Sequence, residues 1–240
     1  MRNIVSAVIV SLISAAPATA TVVQATFSGT VSFGTDALGL FGATGGNLAQ
    51  SSAQVVFRFD TALGTPVSDP FVVDGVWGGT MIGSATPMLD ATVTIGGVSI
   101  TSDATRLGYA ALLADPSFGQ SEQFQARGTA TMTQGQTVAT QFNALFYGPG
   151  FSLPSQLDAP YTLTNLAAMA GQLNSQVFGD ATFSLCPTSG GCISSHPFFN
   201  WTSFSVAPVV TAAVPLPASG LFLVAALGGV GAVRRRREVA

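Results

Sequence analysis

Thr21-Val-Val-Gln-Ala-Thr-Phe-Ser-Gly-Thr-Val-Ser-Phe33 alternates apolar and polar side chains. One face of the stretch is apolar and the other carries hydroxyl and amide groups. The apolar set is Val23, Ala25, Phe27, Val31 and Phe33, and the polar set is Gln24, Thr26, Ser28, Thr30 and Ser32. A period of two residues is typical of a β-strand with one face in a core and the other in water. The stretch therefore predicts a strand that opens a β domain.

The same period recurs along the chain, and Gly96-Gly97 is a two-residue hairpin signal between two of the apolar runs. The further predicted strands are Gln54–Asp60, Ala91–Ile95, Val98–Ile100, Phe124–Thr133, Thr137–Tyr147, Val177–Leu185 and Asn200–Ala207. In the first of these, the inward residues are Val55, Phe57 and Phe59, and the outward residues are Gln54, Arg58 and Asp60. The sequence thus predicts a mainly β fold, a single antiparallel β-sandwich-like domain.

Glycine- and proline-rich connections separate these strands. They are Gly34–Asn47, Gly64–Pro70, Gly78–Pro87, Gly148–Pro160 and Pro187–Pro197. Two segments are less regular: the apolar spacing in Pro160–Ala170 is compatible with one short helix, and Ala104–Ala114 fits a helix or a strand. Neither changes the predicted fold class.

Residues 1–20 have the three parts of a secretory signal peptide. Arg2 supplies the positive charge, Ile4–Ile13 is an apolar run, and Ala18-Thr19-Ala20 is a small-x-small cleavage site. The apolar run is too short to favour a second membrane helix. We therefore expect export through the Sec translocon and removal by signal peptidase, which leaves Thr21 as the first residue.

Residues 214–240 combine a proline motif, an apolar span and a basic block. Ala218–Val233 carries no charge. As a helix this span would cover roughly 24 Å of a bilayer core that is about 30 Å thick. Arg234–Arg237 follow, and the positive-inside rule places them in the cytoplasm as a stop-transfer signal. A plain single-pass anchor in the inner membrane is one interpretation of this pattern.

The same segment resembles the VPLPA variant of the PEP-CTERM sorting signals of Gram-negative bacteria. The matching residues are the motif, the glycines of the apolar span and the terminal arginines: Val214, Pro215, Leu216, Pro217, Ala218, Gly228, Gly229, Gly231, Arg234, Arg235, Arg236 and Arg237. The resemblance implies that an exosortase, a membrane thiol transpeptidase, recognises the motif, cleaves the tail and transfers the protein onward. Because the nucleophile belongs to the exosortase, this chain would be its substrate and not an enzyme.

A second pattern is similar to the N-terminal part of other exported proteins with such tails, and it implies no activity. Its residues are Phe27-Ser-Gly-Thr-Val31, Gly34-Thr-Asp36, Gly39-Leu-Phe-Gly42 and Phe57-Arg-Phe-Asp-Thr61. Ordinary β-strand composition is the alternative explanation.

Residues 21–213 are enough for one domain with a hydrophobic core. They carry three basic residues, Arg58, Arg106 and Arg127, against ten acidic ones. A nucleic-acid-binding surface needs clustered Lys or Arg for the phosphates, and the sequence has no such cluster here. The composition argues against a nucleic-acid partner and indicates a neutral, hydroxyl-rich surface.

Cys186 and Cys192, the only cysteines, flank a proline- and glycine-containing turn. In an exported chain this arrangement favours a disulfide. The loop is short, so the bond would mainly fix a local turn. A metal pair is the alternative, but His196 alone leaves the ligand set for zinc incomplete.

The domain offers few groups for catalysis. His196, the only histidine, lacks a Gly-x-Ser-x-Gly motif, so we interpret it as a loop residue and not as the base of a triad. A glycosidase needs only two distant carboxylates, yet the acids here stand beside residues where Asp serves turns. These acids are Asp36, Asp60, Asp69, Asp74, Asp90, Asp103, Asp115, Glu122, Asp158 and Asp180. We predict no catalytic residue, no cofactor and no metal site.

Trp77 and Trp201, with three tyrosines, are candidates for a sugar-stacking platform, although aromatic residues on strands more often fill a core. The first hypothesis is therefore a non-enzymatic, structural or biofilm-related protein that an exosortase-type system sorts to the cell surface or extracellular matrix. The alternatives are a carbohydrate-binding module of the exopolysaccharide matrix, a permanently anchored periplasmic protein and a hydrolase with dispersed carboxylates.

Overall fold

The computed structural model describes residues 22–115, 121–133, 137–149, 153–166, 177–186 and 191–209. These ranges belong to one compact unit. Their strands are β1 Val22–Phe33, β2 Thr35–Asp36, β3 Gly46–Asn47, β4 Ser52–Asp60, β5 Thr65–Pro66, β6 Val72–Gly78, β7 Met88–Ile95, β8 Val98–Ser102, β9 Leu107–Asp115, β10 Ser121–Thr133, β11 Thr137–Pro149, β12 Tyr161–Thr164, β13 Val177–Cys186, β14 Ile193–Ser195 and β15 Phe198–Pro208.

All the strand pairings are antiparallel, and most strands belong to one sheet. Its order is β5-β6-β9-β10-β11-β13-β15-β1-β4-β7-β8, with β12 beside β15 and β14 beside β13, while β2 and β3 form a separate pair. The predicted mainly β, antiparallel fold is confirmed. The predicted hairpin is also confirmed, because Gly96 and Gly97 join β7 to β8 with φ values of +58° and +90°, as a type I′ turn requires.

The sheet curls so that β10 faces β1 across the hydrophobic core. The Phe27 ring of β1 lies 5.9 Å from the Phe124 ring of β10 and 4.6 Å from the Phe204 ring of β15. Phe57 and Trp201 also pack against Phe27. Burying a side chain of this size stabilises a fold by about 1.5–3 kcal/mol. The inward faces of β1, β4, β10 and β15 therefore supply most of the aromatic core.

Three details of the predictions are wrong. Phe33 points to solvent, with 63% of its surface exposed, and Asp60 is buried although it was placed on the outer face. The first half of the helix proposed for Pro160–Ala170 is strand β12, because Tyr161–Thr164 pair with β15. The rest of that segment, from residue 167, lies outside the described residues.

Most of Ala104–Ala114, which was compatible with a helix or a strand, belongs to strand β9. Strand β6 was not predicted, and the short strands β2, β3, β5 and β14 lie within segments read as connections. Within the described ranges, no helix is long and apolar enough to cross a membrane.

Candidate functional site

A β-bulge turns the end of β1 outward. Val31 pairs with Phe199 and Phe33 pairs with Phe198, so Ser32 is an extra residue on β1. An extra residue reverses the alternation of a strand, which explains why Phe33 faces solvent while Val31 is buried. Ser32 Oγ donates a hydrogen bond to the carbonyl oxygen of Phe198 at 3.1 Å and holds the bulge against β15.

Gly34 follows this bulge and lies very close to the backbone of Pro197. Its φ is +154°, and a Cβ at this position would lie 2.7 Å from the Cα of Pro197. Only glycine fits such a contact without a shift of the backbone. The approach brings the end of β1 against the segment that connects β14 to β15.

Three aromatic rings line up on the outer face at this point. We call Phe33, Phe198 and His196 the aromatic ridge. The Phe33 and Phe198 rings are stacked, with centroids 5.0 Å apart, and the His196 ring lies 4.4 Å from Phe198. Nε2 of His196 lies 3.1 Å from Oδ2 of Asp180, which stands opposite Phe198 on β13. The ridge thus presents an exposed ring at one end and an imidazole–carboxylate pair at the other.

The same outer face carries two rows of side chains, which we call the hydroxyl rows and which are polar at every position except Val56. Each row contains directly paired residues from β12, β15, β1, β4, β7 and β8. The first row is Thr164, Ser203, Ser28, Gln54, Thr94 and Ser99, and the second is Thr162, Ser205, Thr26, Val56, Thr92 and Thr101. Neighbouring strands are about 4.8 Å apart, and residues two apart on one strand are separated by roughly 6.6 Å.

Hydrogen bonds link several of these side chains across strands. The hydroxyl oxygens of Thr92 and Thr101 are 2.8 Å apart, and so are those of Thr94 and Ser99. Asn200 and Thr30 form a further directly paired position between the hydroxyl rows and the aromatic ridge. The polar face therefore continues along β1 and β15 as far as the ridge.

Arg58 and Asp180, two charged residues of this face, each contact another side chain. Arg58 on β4 donates to the carboxylate of Asp90 on β7, and this hydrogen bond is the main reason why the pKa of the Arg58 guanidinium is raised. At the other end of the face, Asp180 pairs with His196. The Arg58 guanidinium is consequently already engaged by a carboxylate of the same face.

A buried carboxylate holds the loop beside the ridge. Asp36 is 1% exposed and accepts hydrogen bonds from the backbone N–H groups of Leu40 and Phe41, at 2.8 and 2.7 Å. The hydroxyl of Ser195 donates to the same carboxylate at 3.2 Å and accepts from the N–H of Leu38 at 3.0 Å. Asp36 therefore ties the segment after Phe33 to the residue before His196.

The sequence prediction for His196 missed its partner Asp180. The two serines before His196 are engaged elsewhere, since Ser195 bonds to Asp36 and Ser194 lies 2.8 Å from Ser184. The proposed stacking platform is wrong for Trp201, which is 1% exposed and lies in the aromatic core. Trp77 is 38% exposed and lies on β6, several strands away from β15 in the sheet order.

No cysteine among the described residues is free. Strands β13 and β14 pair Leu185 with Ile193, and the same register continued by one residue places Cys186 opposite Cys192. Directly opposed antiparallel residues have Cα atoms about 4.5–5.5 Å apart, within the range of a disulfide. Because the side chain of Cys186 lies outside those described, its pairing with Cys192 stays a prediction.

The predicted terminal signals lie outside the described residues. These are the cleavage residues Ala18, Ala20 and Thr21, the sorting motif Val214, Pro215, Leu216, Pro217 and Ala218, and the stop-transfer block Arg234, Arg235, Arg236 and Arg237. Among the side chains that the structure does describe, no group of three or more could ligate a metal ion.

No protein-family model matches this chain, and no curated protein or solved structure is similar enough to it to count as a match.

Proposed function

We propose that this chain is a non-enzymatic exported protein that an exosortase-type system sorts to the cell surface or extracellular matrix. The observation that carries the proposal is the pair of terminal signals, residues 1–20 and 214–240, around a single β domain. In this scheme the Sec translocon exports the chain, and its C-terminal helix holds it in the inner membrane until the tail is cleaved. The domain would then serve a structural or biofilm-related role outside the cell.

The architecture is compatible with that role. We infer that the curled sheet behaves as a two-layer sandwich, because β10 packs face to face with β1 across the aromatic core. A short disulfide between Cys186 and Cys192 would add a covalent closure to the β13–β14 hairpin, as suits a protein that works in an oxidising environment.

Intact mass and fractionation test the proposal directly. In a host with its exosortase, we expect a product that begins at Thr21, ends near the Val214–Ala218 motif and lies outside the inner membrane. Without the exosortase, the mass should include Arg234–Arg237 and the protein should stay in the inner membrane. Full-length protein held in the membrane of both strains would instead indicate a plain anchor.

A matched pair of variants separates motif recognition from a general effect of proline. Replacement of Pro215 and Pro217 by alanine should block processing, because the motif is what the exosortase is expected to recognise. Pro208→Ala, a change at the end of β15 and outside the motif, should leave processing intact. Equal processing of both variants would contradict recognition of the motif.

A second candidate function is carbohydrate binding in the exopolysaccharide matrix. It is favoured by one structural observation: the outer face carries hydroxyl rows and an aromatic ridge with one exposed ring, and its Arg58 is paired with a carboxylate. This candidate assigns no role to Trp201, whose ring is buried.

A further inference from the structure

We propose that the aromatic ridge and the hydroxyl rows together form a binding face for an uncharged polysaccharide. The inference rests on the second candidate function and names its site and ligand class. It does not depend on how the tail is processed. The argument has three parts: an exposed ring, two rows of mostly hydrogen-bonding groups and an arginine, Arg58, that is already paired with a carboxylate.

Phe33 supplies the ring. The alternation of β1 would place this residue inward, and the bulge at Ser32 instead exposes 63% of its surface. Bulges that re-aim a side chain are enriched at functional sites. The apolar face of a sugar ring can stack on an aromatic ring of this kind, whose other face is stacked on Phe198.

His196 and Asp180 supply directional contacts at the other end of the ridge. One imidazole nitrogen contacts Oδ2 of Asp180, which leaves the second nitrogen for another hydrogen bond. The hydroxyl groups of a sugar stacked on the ridge would be suitable partners for that nitrogen.

The hydroxyl rows extend the face beyond one sugar. From Thr26 to Phe33 the strand spans roughly 23 Å at about 3.3 Å per residue. Each hydroxyl has one donor and two acceptor sites, so the bond between Thr92 and Thr101 leaves further capacity on both groups. A polymer whose own groups are hydroxyls matches this surface directly or through bridging water.

Cross-strand Thr and Ser pairs also stabilise sheets without any ligand. The rows alone therefore do not define a site. We assign the rows to the binding site because Asn200 and Thr30 connect them to Phe33 on the same face of β15 and β1.

Charge selects the class of polymer. In the described strands of this face, the charged residues are Arg58, Asp60, Asp90 and Asp180, of which Asp60 is buried. Arg58 is occupied by Asp90, so the face offers an anionic polymer no free counter-charge. An uncharged chain requires none.

The test measures binding of the full chain in a detergent without a sugar headgroup. Xyloglucan, galactomannan and dextran serve as uncharged probes, and alginate serves as the anionic comparison, with calorimetry as the readout. We expect binding to at least one uncharged probe and none to alginate. Phe33→Ala and Phe33→Leu should both weaken binding about tenfold, equivalent to roughly 1.4 kcal/mol. The leucine variant keeps apolar bulk but lacks a ring face.

Phe71→Ala is the matched control, because Phe71 is another partly exposed phenylalanine that lies before β6, away from the ridge. It should bind like the unmodified chain. Circular dichroism should show all variants folded, since neither phenylalanine is buried.

Three results would overturn the inference. They are a lack of binding to every uncharged probe, equal binding by the Phe33 variants, or a loss of self-association in those variants with glycan affinity unchanged. The first rejects the ligand class, the second rejects the site, and the third makes the ridge a contact between copies of the chain. None of them bears on sorting, which the mass measurement decides separately.

Discussion

Replacement of Asp36 by alanine tests whether one buried carboxylate organises the loop beside the aromatic ridge. The carboxylate accepts two backbone N–H groups, from Leu40 and Phe41, and one hydroxyl, from Ser195. Alanine leaves the two N–H groups without this acceptor and frees Ser195 from its anchor. Phe41 packs its ring 5.3 Å from Phe183, so the loop also carries part of the core.

The expected loss of stability follows from these contacts. A hydrogen bond to a charged group contributes about 1.5–3 kcal/mol, so the two N–H bonds together are worth roughly 3–6 kcal/mol. Alanine also removes a buried charge and so recovers part of the desolvation penalty of that charge. We therefore expect the free energy of unfolding to fall by about 3 kcal/mol, the lower end of this range. For a domain of this size that corresponds to a melting temperature about 6–12 °C lower.

Urea unfolding followed by tryptophan fluorescence measures this difference, because Trp201 is buried and should report the loss of the core. Asp69→Ala is the control: this carboxylate accepts a single backbone bond, from Phe71, at an exposed turn. It should cost less than about 1 kcal/mol. If Asp36→Ala were no more destabilising than Asp69→Ala, the Asp36 network would not be what holds the loop.

Two further predictions concern other parts of the domain. Burial, and secondarily the charge of Asp69, raises the pKa of the Tyr109 phenol above its ordinary value. The unfolded chain therefore loses this proton first, and stability should fall as the pH rises above about 10. Urea titrations across that range should show a weaker fall for Tyr109→Phe, and identical slopes would contradict the assignment. For the predicted disulfide, reduction should lower stability by roughly 2 kcal/mol, because the closed loop is short. Thiol labelling of the unreduced protein at both Cys186 and Cys192 would contradict the pairing.

The fold was predictable where side-chain period and turn chemistry agree. The alternation in β1 and β4 and the Gly96-Gly97 turn fix strands and a hairpin from local sequence alone. Strand β6 was missed because Val72–Gly78 contains two glycines, which are depleted in strands, and lies between two segments that read as loops. The segment forms a strand because it pairs with β9, although its own residues have a low strand propensity.

For the site, the sequence predicts the kinds of surface residue but not their arrangement. A neutral, hydroxyl-rich surface follows from the residue content, but the hydroxyl rows depend on the register of six strands, which distant segments determine together. The contact of His196 with Asp180 has the same origin, since Asp180 on β13 pairs with Phe198 at the start of β15 and His196 lies two residues before Phe198. Trp201 was a candidate for the surface because a sequence does not show which aromatic side chains the core will take.

The exposure of Phe33 is a property of the fold and not a failure of packing. Continued alternation from Phe27 and Val31 would have carried this ring to the inner face, where burial of a phenylalanine contributes about 1.5–3 kcal/mol. The chain forgoes that stabilisation and holds the bulge in place with specific contacts. Ser32 bonds to Phe198, and Gly34 permits close approach to Pro197. Asp36 then fixes Ser195 next to His196. Several independent contacts therefore maintain an arrangement that costs stability, as the ligand-binding role proposed for the exposed ring would require.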